Sequence, residues 1–88
     1  MSGKTVLITG CSEGGIGYNL ALEWNKRGYR VFATARTLES MAGLEAVGIK
    51  CLTMDVTETT SLKTVKEKVE KESGGSLDYL INNAGQGI

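Results

Sequence analysis

Short apolar runs alternate with amphipathic stretches at a regular pace along this chain. Four runs predict β-strands, at residues 4–8, 29–34, 49–54 and 77–82. In the first of them Val6-Leu7-Ile8 is continuously apolar, a pattern typical of a strand whose two faces are both buried. The pattern therefore predicts that the first strand lies at the centre of a sheet.

Between the runs, apolar residues recur at the three- and four-residue spacing of helices. The spacing predicts helices at about 16–27, 37–47 and 58–73, the last with Thr57 as its N-cap, ended by Gly28, Gly48 and the Gly74-Gly75 pair respectively. Their apolar positions are Ile16, Leu20, Ala21 and Trp24; Leu38, Met41, Leu44 and Val47; and Leu62, Val65 and Val69. The resulting order, βαβαβαβ, predicts an α/β fold with a parallel sheet and right-handed crossovers.

Composition narrows the function classes. The chain has 88 residues, 41% of them hydrophobic, and its ten basic and ten acidic residues cancel. This balance gives no electrostatic reason to expect nucleic acid or an anionic membrane as a partner. No apolar run is long enough to span a bilayer, and the N-terminus has no signal-peptide pattern. Histidine is absent and Cys11 and Cys51 lie far apart, so we expect reduced thiols and no metal site.

The fourth strand raises the question of domain completeness. A doubly wound sheet commonly has six strands in the order 3-2-1-4-5-6, so Tyr79-Leu80-Ile81 would form an exposed apolar edge here. We therefore expect residues 1–88 to be the N-terminal part of one larger domain. The alternative is a short product whose partner covers this edge, which leaves a homo-oligomer open.

The turn after the first strand carries the chemistry. It reads Thr9-Gly10-Cys11-Ser12-Glu13-Gly14-Gly15-Ile16-Gly17 and lies between a predicted strand and a predicted helix. Phosphates bind where backbone N–H groups converge on a helix N-terminus and glycines let the backbone come close. The ATP-type loop is excluded because Ile16-Gly17 stands where it needs Lys and Ser or Thr, and the G-x-G-x-x-G pattern is also unmatched. The candidate phosphate-binding residues are Gly10, Ser12, Gly14, Gly15, Ile16 and Gly17.

Cys11 lies inside this turn, near a helix N-terminus, where the pKa of a thiol can be lowered. Cys11 has two interpretations, a redox-active thiol or a small buried side chain that fills space, and the second is favoured.

These residues resemble the short-chain dehydrogenase/reductase family, whose signature is T-G-x-x-x-G-I-G. Here the spacing is one residue longer, and the residues alone leave open whether Glu13 or Gly14 is the addition. The family's second signature, N-N-A-G, is present as Asn82-Asn83-Ala84-Gly85. The resemblance implies a Rossmann-like doubly wound parallel sheet, of which this chain supplies the first four strands and is incomplete. It also implies that Asn82, Asn83, Ala84 and Gly85 lie along the cofactor.

The end of the second strand decides which dinucleotide is expected. NAD-binding sites place an acidic residue about 20 residues after the glycine turn. Here Ala35 stands at that place and Arg36 follows, a planar donor suited to a 2′-phosphate. These residues predict NADP(H) as cofactor. By the same resemblance, Asp55-Val56 after the third strand would bind the adenine.

Together with Val31–Arg36, the glycine turn is similar to that of fungal NADPH-dependent 1-acyldihydroxyacetone-phosphate reductases. The resemblance implies reduction of a lipid ketone on the route to phosphatidic acid, at the cytoplasmic face of the endoplasmic reticulum and lipid droplets. Steroid- and retinol-type reductases share A-T-A-R segments and stay open as alternatives. An epimerase or dehydratase is disfavoured by the intact N-N-A-G.

No catalytic residue is assigned in the chain. The family's catalytic Tyr is followed four residues later by Lys, and Tyr18, Tyr29 and Tyr79 have no such lysine. A non-catalytic nucleotide-binding or interaction module therefore remains the second function class.

Overall fold

The computed structural model describes residues 4–54, 59–75 and 77–81. Four strands are present: β1 (Thr5–Ile8), β2 (Arg30–Ala35), β3 (Lys50–Thr53) and β4 (Tyr79–Ile81). The helices are α1 (Ile16–Lys26), α2 (Ala42–Glu45) and α3 (Thr59–Glu72), with a 3-10 turn at Glu39–Met41 before α2. The strands form one parallel sheet in the order β3-β2-β1-β4, which confirms the predicted topology.

β1 is fully buried, as its continuous apolar run predicts. Val6, Leu7 and Ile8 have no exposed surface, and their side chains divide between the two faces of the sheet. Val6 and Ile8 belong to the core cluster that includes Ala21 of α1 and Leu44 of α2. Leu7 belongs to a second cluster, with Phe32 of β2 and Val65 and Val69 of α3. Helices therefore cover both faces, and the fold is a doubly wound α/β sheet.

α1 ends where its glycine predicts. Gly28 has φ 93°, a left-handed conformation that glycine adopts without strain. Its N–H donates to the carbonyl of Asn25, and the Tyr29 N–H donates to the carbonyl of Trp24. These bonds satisfy the last helical carbonyls and turn the chain into β2.

The second predicted helix is shorter than its apolar spacing indicates. Met41 and Leu44 are fully buried, but Leu38 and Val47 are 45% and 50% exposed. The segment opens as a 3-10 turn and closes at Gly48 (φ 93°), so only the central two apolar residues face the sheet.

β4 is the outer strand of the described sheet on the side of β1. Asp78 locks its register: its side chain accepts the Thr5 N–H at 2.8 Å, and its own N–H donates to the Thr5 carbonyl at 3.0 Å. Tyr79 and Leu80 are 39% and 40% exposed, in agreement with the predicted apolar edge.

Candidate functional site

The glycine turn leaves β1 at the carboxyl end of the sheet. Thr9 is buried, and its N–H donates to the Ile81 carbonyl of β4 at 3.0 Å. Gly10 and Gly14 have φ values of 71° and 88°, in the left-handed region that favours glycine. The turn thus bends sharply between a buried strand and a helix, at the edge where ligands bind in open α/β sheets.

The N-terminus of α1 is open to an anion. Gly15 is the N-cap residue, no side chain caps the helix, and its first turn has no acidic residue. The Gly15 N–H donates to the Ser12 carbonyl at 3.1 Å, and a Cβ at Gly15 would lie 3.3 Å from that oxygen. Ser12 and Gly14 are exposed. Uncapped helix N–H groups beside small residues fit a phosphate.

Ile16 and Gly17 occupy opposite environments in the first turn of α1. Gly17 is buried, as expected for a residue at which the helix packs close to the sheet. Ile16 is 70% exposed, although its helical spacing places it on the same face as Leu20, which packs against the core. It therefore forms an apolar surface beside the open helix N-terminus rather than part of the core.

Arg36 lies at the same edge, directly after the buried Ala35 at the end of β2. It is exposed. Ion pairs in the described part of the chain include Arg27 with Glu23 and Lys50 with Glu72, and neither of these involves Arg36. The guanidinium of Arg36 is therefore placed to meet an anionic ligand from solvent.

Backbone hydrogen bonds bring the turn and the end of β2 together. The Cys11 N–H donates to the Thr34 carbonyl at 2.8 Å, and the Glu13 N–H donates to the Ser40 carbonyl at 2.8 Å. Beside them, the Met54 N–H donates to the Ala35 carbonyl at 2.9 Å, which aligns the end of β3 with that of β2. The glycine turn and Arg36 thus belong to one continuous edge of the sheet.

Six of the predicted cofactor residues lie outside the described residues: Asp55, Val56, Asn82, Asn83, Ala84 and Gly85. Their roles stay predictions.

Cys11 is a small buried side chain, which is the interpretation that the sequence favours. Burial raises its pKa from the ordinary value of 9.0 to about 11, although the thiol lies near a helix N-terminus. Its side chain is fully buried in the core cluster that contains Ala21, and its Sγ lies 3.1 Å from the Ile8 carbonyl. The cost of burying a thiolate outweighs the backbone hydrogen bond at Thr34, which lowers the pKa, so Cys11 fills space in the turn.

Thr34 is a residue that the sequence pattern does not single out. Its side chain is fully buried, and its hydroxyl has no hydrogen-bond partner among the residues that the structure describes. A run of small and apolar residues predicts only that β2 is buried, so an unpaired hydroxyl is visible only once the strand's neighbours are known.

The three tyrosines have packing contacts. Tyr29 and Tyr79 pack on Trp24 at ring-centroid distances of 4.6 and 5.4 Å, and Tyr79 pairs with Val6 near the start of β1, away from the glycine turn. Trp24 is thus part of an aromatic cluster, as predicted, and Tyr18 packs against the core near Gly43 of α2.

Metal-binding groups of side chains and membrane-spanning helices are both absent from the described residues. Within 4–54, 59–75 and 77–81, no group of three or more His, Cys, Asp or Glu side chains could hold a metal ion. No helix in this part of the chain is both long and apolar enough to cross a membrane.

The chain is similar to short-chain dehydrogenases in sequence and to solved oxidoreductases in structure. A family model described as short chain dehydrogenase matches residues 4–88. An NADPH-dependent 1-acyldihydroxyacetone phosphate reductase of Schizosaccharomyces pombe is 54% identical over 82 residues, which are 93% of this chain and 28% of that protein. A short-chain dehydrogenase of Penicillium ochrochloron is 48% identical over 88 residues, 99% of this chain and 32% of the relative.

Solved structures agree in fold. The chain is similar to actinorhodin polyketide ketoreductase with NADPH, with a TM-score of 0.79 and 32% identity, over 94% of this chain and 33% of that one. It is also similar to ElxO with NADP bound, with a TM-score of 0.79 and 36% identity, over 93% of this chain and 35% of that one. The chain spans about a third of the length of these relatives.

Proposed function

Because this chain belongs to the short-chain dehydrogenase family, we propose that it forms the NADP(H)-binding part of an oxidoreductase that reduces a ketone. The observation that carries the proposal is the uncapped, acid-free N-terminus of α1, which opens beside the left-handed glycines of the turn. This arrangement holds the pyrophosphate of a dinucleotide on helix N–H groups. A non-catalytic nucleotide-binding module would bind the dinucleotide with the same geometry and would differ only in having no catalytic turnover.

Arg36 supplies the preference for the phosphorylated cofactor. Its guanidinium is exposed, takes part in none of the described ion pairs and follows β2 at the ligand-binding edge. No carboxylate stands at position 35 to bind a 2′-hydroxyl. Two similar proteins support this assignment: the Schizosaccharomyces pombe reductase, whose name includes NADPH, and the polyketide ketoreductase, whose structure contains NADPH.

The residues of this chain bind and orient the cofactor, while the bound nicotinamide supplies hydride chemistry. Gly14, Gly15 and Ser12 border the phosphates, and Gly17 keeps α1 close to the sheet. Asp55, Val56 and the Asn82–Gly85 segment complete the adenosine and ribose contacts in this proposal.

The proposed substrate is 1-acyldihydroxyacetone phosphate, reduced to 1-acylglycerol 3-phosphate in glycerolipid synthesis. The support is the 54% identity to the Schizosaccharomyces pombe reductase. A lipid substrate of this kind places the protein at the cytoplasmic face of the endoplasmic reticulum or of lipid droplets.

The test is a reduction assay with the intact protein, NADPH and 1-acyldihydroxyacetone phosphate, with a steroid ketone as the comparison substrate. The proposal predicts consumption of NADPH in step with formation of 1-acylglycerol 3-phosphate and no turnover of the steroid. Turnover of the steroid alone would reassign the substrate class. Cofactor binding without turnover of any ketone would favour the non-catalytic module.

A further inference from the structure

The glycine turn and the segment after β2 are joined beyond the end of the sheet. The Glu13 N–H donates to the Ser40 carbonyl at 2.8 Å. Glu13 lies in the middle of the turn, and Ser40 lies in the 3-10 turn that precedes α2. This bond is separate from the one between Cys11 and Thr34, which lies within the span of β2.

Ser40 is in turn held by Thr37. The Ser40 hydroxyl donates to the Thr37 carbonyl at 2.8 Å, and the Ser40 N–H donates to the Thr37 Oγ1 at 3.3 Å. Both bonds run from Ser40 to Thr37, one from the backbone N–H and one from the hydroxyl, which closes a small ring of backbone and side chain. A hydroxyl oxygen that accepts the N–H three residues later stabilises the start of a helical turn.

Arg36 lies between these fixed points. On one side the Ala35 carbonyl accepts the Met54 N–H at 2.9 Å, and on the other side Thr37 belongs to the ring with Ser40. The backbone of Arg36 is therefore restrained at both ends, although its side chain is exposed. Restraint of the backbone lowers the entropy that a long side chain must lose when it binds a ligand.

The bond from Glu13 to Ser40 also shows how Glu13 and Gly14, the two candidates for the added residue of the turn, differ. The Glu13 N–H is engaged with Ser40, whereas Gly14 has φ 88° and open space where a Cβ would lie. Glu13 is thus the residue that links the two segments, and Gly14 gives the backbone the freedom to return to α1.

We propose that Thr37 and Ser40, joined to the backbone of Glu13, are positioning residues that hold Arg36 against the glycine turn and so set the preference for a 2′-phosphate. The inference rests on the proposed function, because Arg36 matters only if the site takes a dinucleotide. We call Glu13, Thr37 and Ser40 together the latch. It touches no phosphate itself and acts through Arg36.

The test uses two probes that differ only in the phosphate at issue, adenosine 2′,5′-bisphosphate and adenosine 5′-monophosphate. Calorimetric titration of the intact protein gives the affinity of each for the wild type and for the Thr37→Val/Ser40→Ala double variant. The latch predicts a loss of about fivefold in affinity for the bisphosphate, the size of one or so net hydrogen bonds, and an unchanged affinity for the monophosphate. Ser40→Thr keeps the hydroxyl and should retain the wild-type preference.

A second pair of variants tests the Glu13 bond. Glu13→Pro removes the N–H, and Glu13→Ala keeps it while removing the carboxylate. The proline variant should lose bisphosphate affinity relative to the alanine variant, with thermal melting used to show that both are folded.

The outcomes separate the two proposals. A wild type that binds both probes equally would overturn the proposed cofactor preference itself. A wild type that prefers the bisphosphate, combined with variants that keep the full preference or lose both probes equally, would overturn the latch alone.

Discussion

The backbone N–H of Glu13 donates a 2.8 Å hydrogen bond to the carbonyl of Ser40. The two residues are far apart in sequence, and each lies next to a candidate ligand-binding group: Glu13 beside Ser12, and Ser40 near Arg36. The donor and the acceptor are main-chain atoms, and the Ser40 end of the bond is itself held by hydrogen bonds to Thr37. The bond therefore joins the phosphate turn to the segment that follows Arg36.

The buried hydroxyl of Thr34 gives a first prediction. Its Oγ1 has no hydrogen-bond partner within the described part of the chain, and an unsatisfied buried hydroxyl costs free energy. Thr34→Val keeps the shape and removes the hydroxyl, so it should raise the free energy of unfolding by about 1 kcal/mol. Urea denaturation measures the change. Thr34→Ser keeps the hydroxyl but loses a methyl group, and it should lower the same free energy by about 1 kcal/mol. A valine variant less stable than the wild type would contradict the assignment.

Gly43 and Tyr18 give a second prediction. A Cβ at Gly43 would overlap the Tyr18 hydroxyl, and Tyr18 packs against the core cluster that contains Ala21. Because this hydroxyl is the end of a partly buried side chain that can shift, Gly43→Ala should destabilise the wild type by about 1 kcal/mol, at the low end for overpacking, despite the better helix propensity of alanine. In a Tyr18→Phe background the overlap is relieved, and the cost should fall by about 1 kcal/mol or more. Equal effects of Gly43→Ala in both backgrounds, measured by denaturant unfolding, would refute the contact.

The thiols give a prediction for chemical labelling. Burial raises the pKa of Cys11 and of Cys51 to about 11, so both are protonated at neutral pH. Cys11 is fully buried and Cys51 is partly buried. A maleimide probe should label Cys51 slowly and Cys11 only after unfolding, with Cys11→Ser and Cys51→Ser variants identifying each rate. Rapid labelling of Cys11 in the folded protein would support the redox role instead.

The same thiols give a pH dependence. The unfolded chain loses the Cys11 proton near the ordinary pKa of 9.0, whereas the folded chain keeps it until about 11. Stability should therefore fall as pH rises across this window, because the folded state binds the extra proton. Thermal melting at a series of alkaline pH values measures the slope. Cys11→Ala should show a shallower decline than the wild type, and an identical slope would exclude Cys11 as a source.

Much of the fold could be predicted because its signals are local. The run Val6-Leu7-Ile8 is apolar without interruption, and its burial follows from that pattern. Gly28 ends α1 because a left-handed residue is needed there, and glycine meets that need. Parallel pairing of the strands follows from the alternation of strands and helices, and the order β3-β2-β1-β4 is that of the doubly wound fold.

Other features depend on neighbours that sequence spacing does not reveal. Leu38 and Val47 fit a helical stripe, yet both are about half exposed because the helix between them is short. The pKa of Cys11 is raised by burial of its own side chain, although Ser12 and Gly14 of the same turn are exposed. The bond from Glu13 to Ser40 depends on packing between distant segments. Sequence spacing therefore could not predict the geometry of the candidate site, and the set of cofactor-binding residues stays a prediction.

The central claim is that Arg36 and the glycine turn together select NADP(H). The most direct measurement is fluorescence titration of NADPH and NADH into the intact wild type and its Arg36→Ala and Arg36→Lys variants. The account predicts that the wild type prefers NADPH, and that Arg36→Ala weakens NADPH binding by about 1–3 kcal/mol while sparing NADH. Arg36→Lys, which keeps the charge without the planar fork, should fall between the two. Equal losses for NADPH and NADH, or no loss for either, would contradict the account.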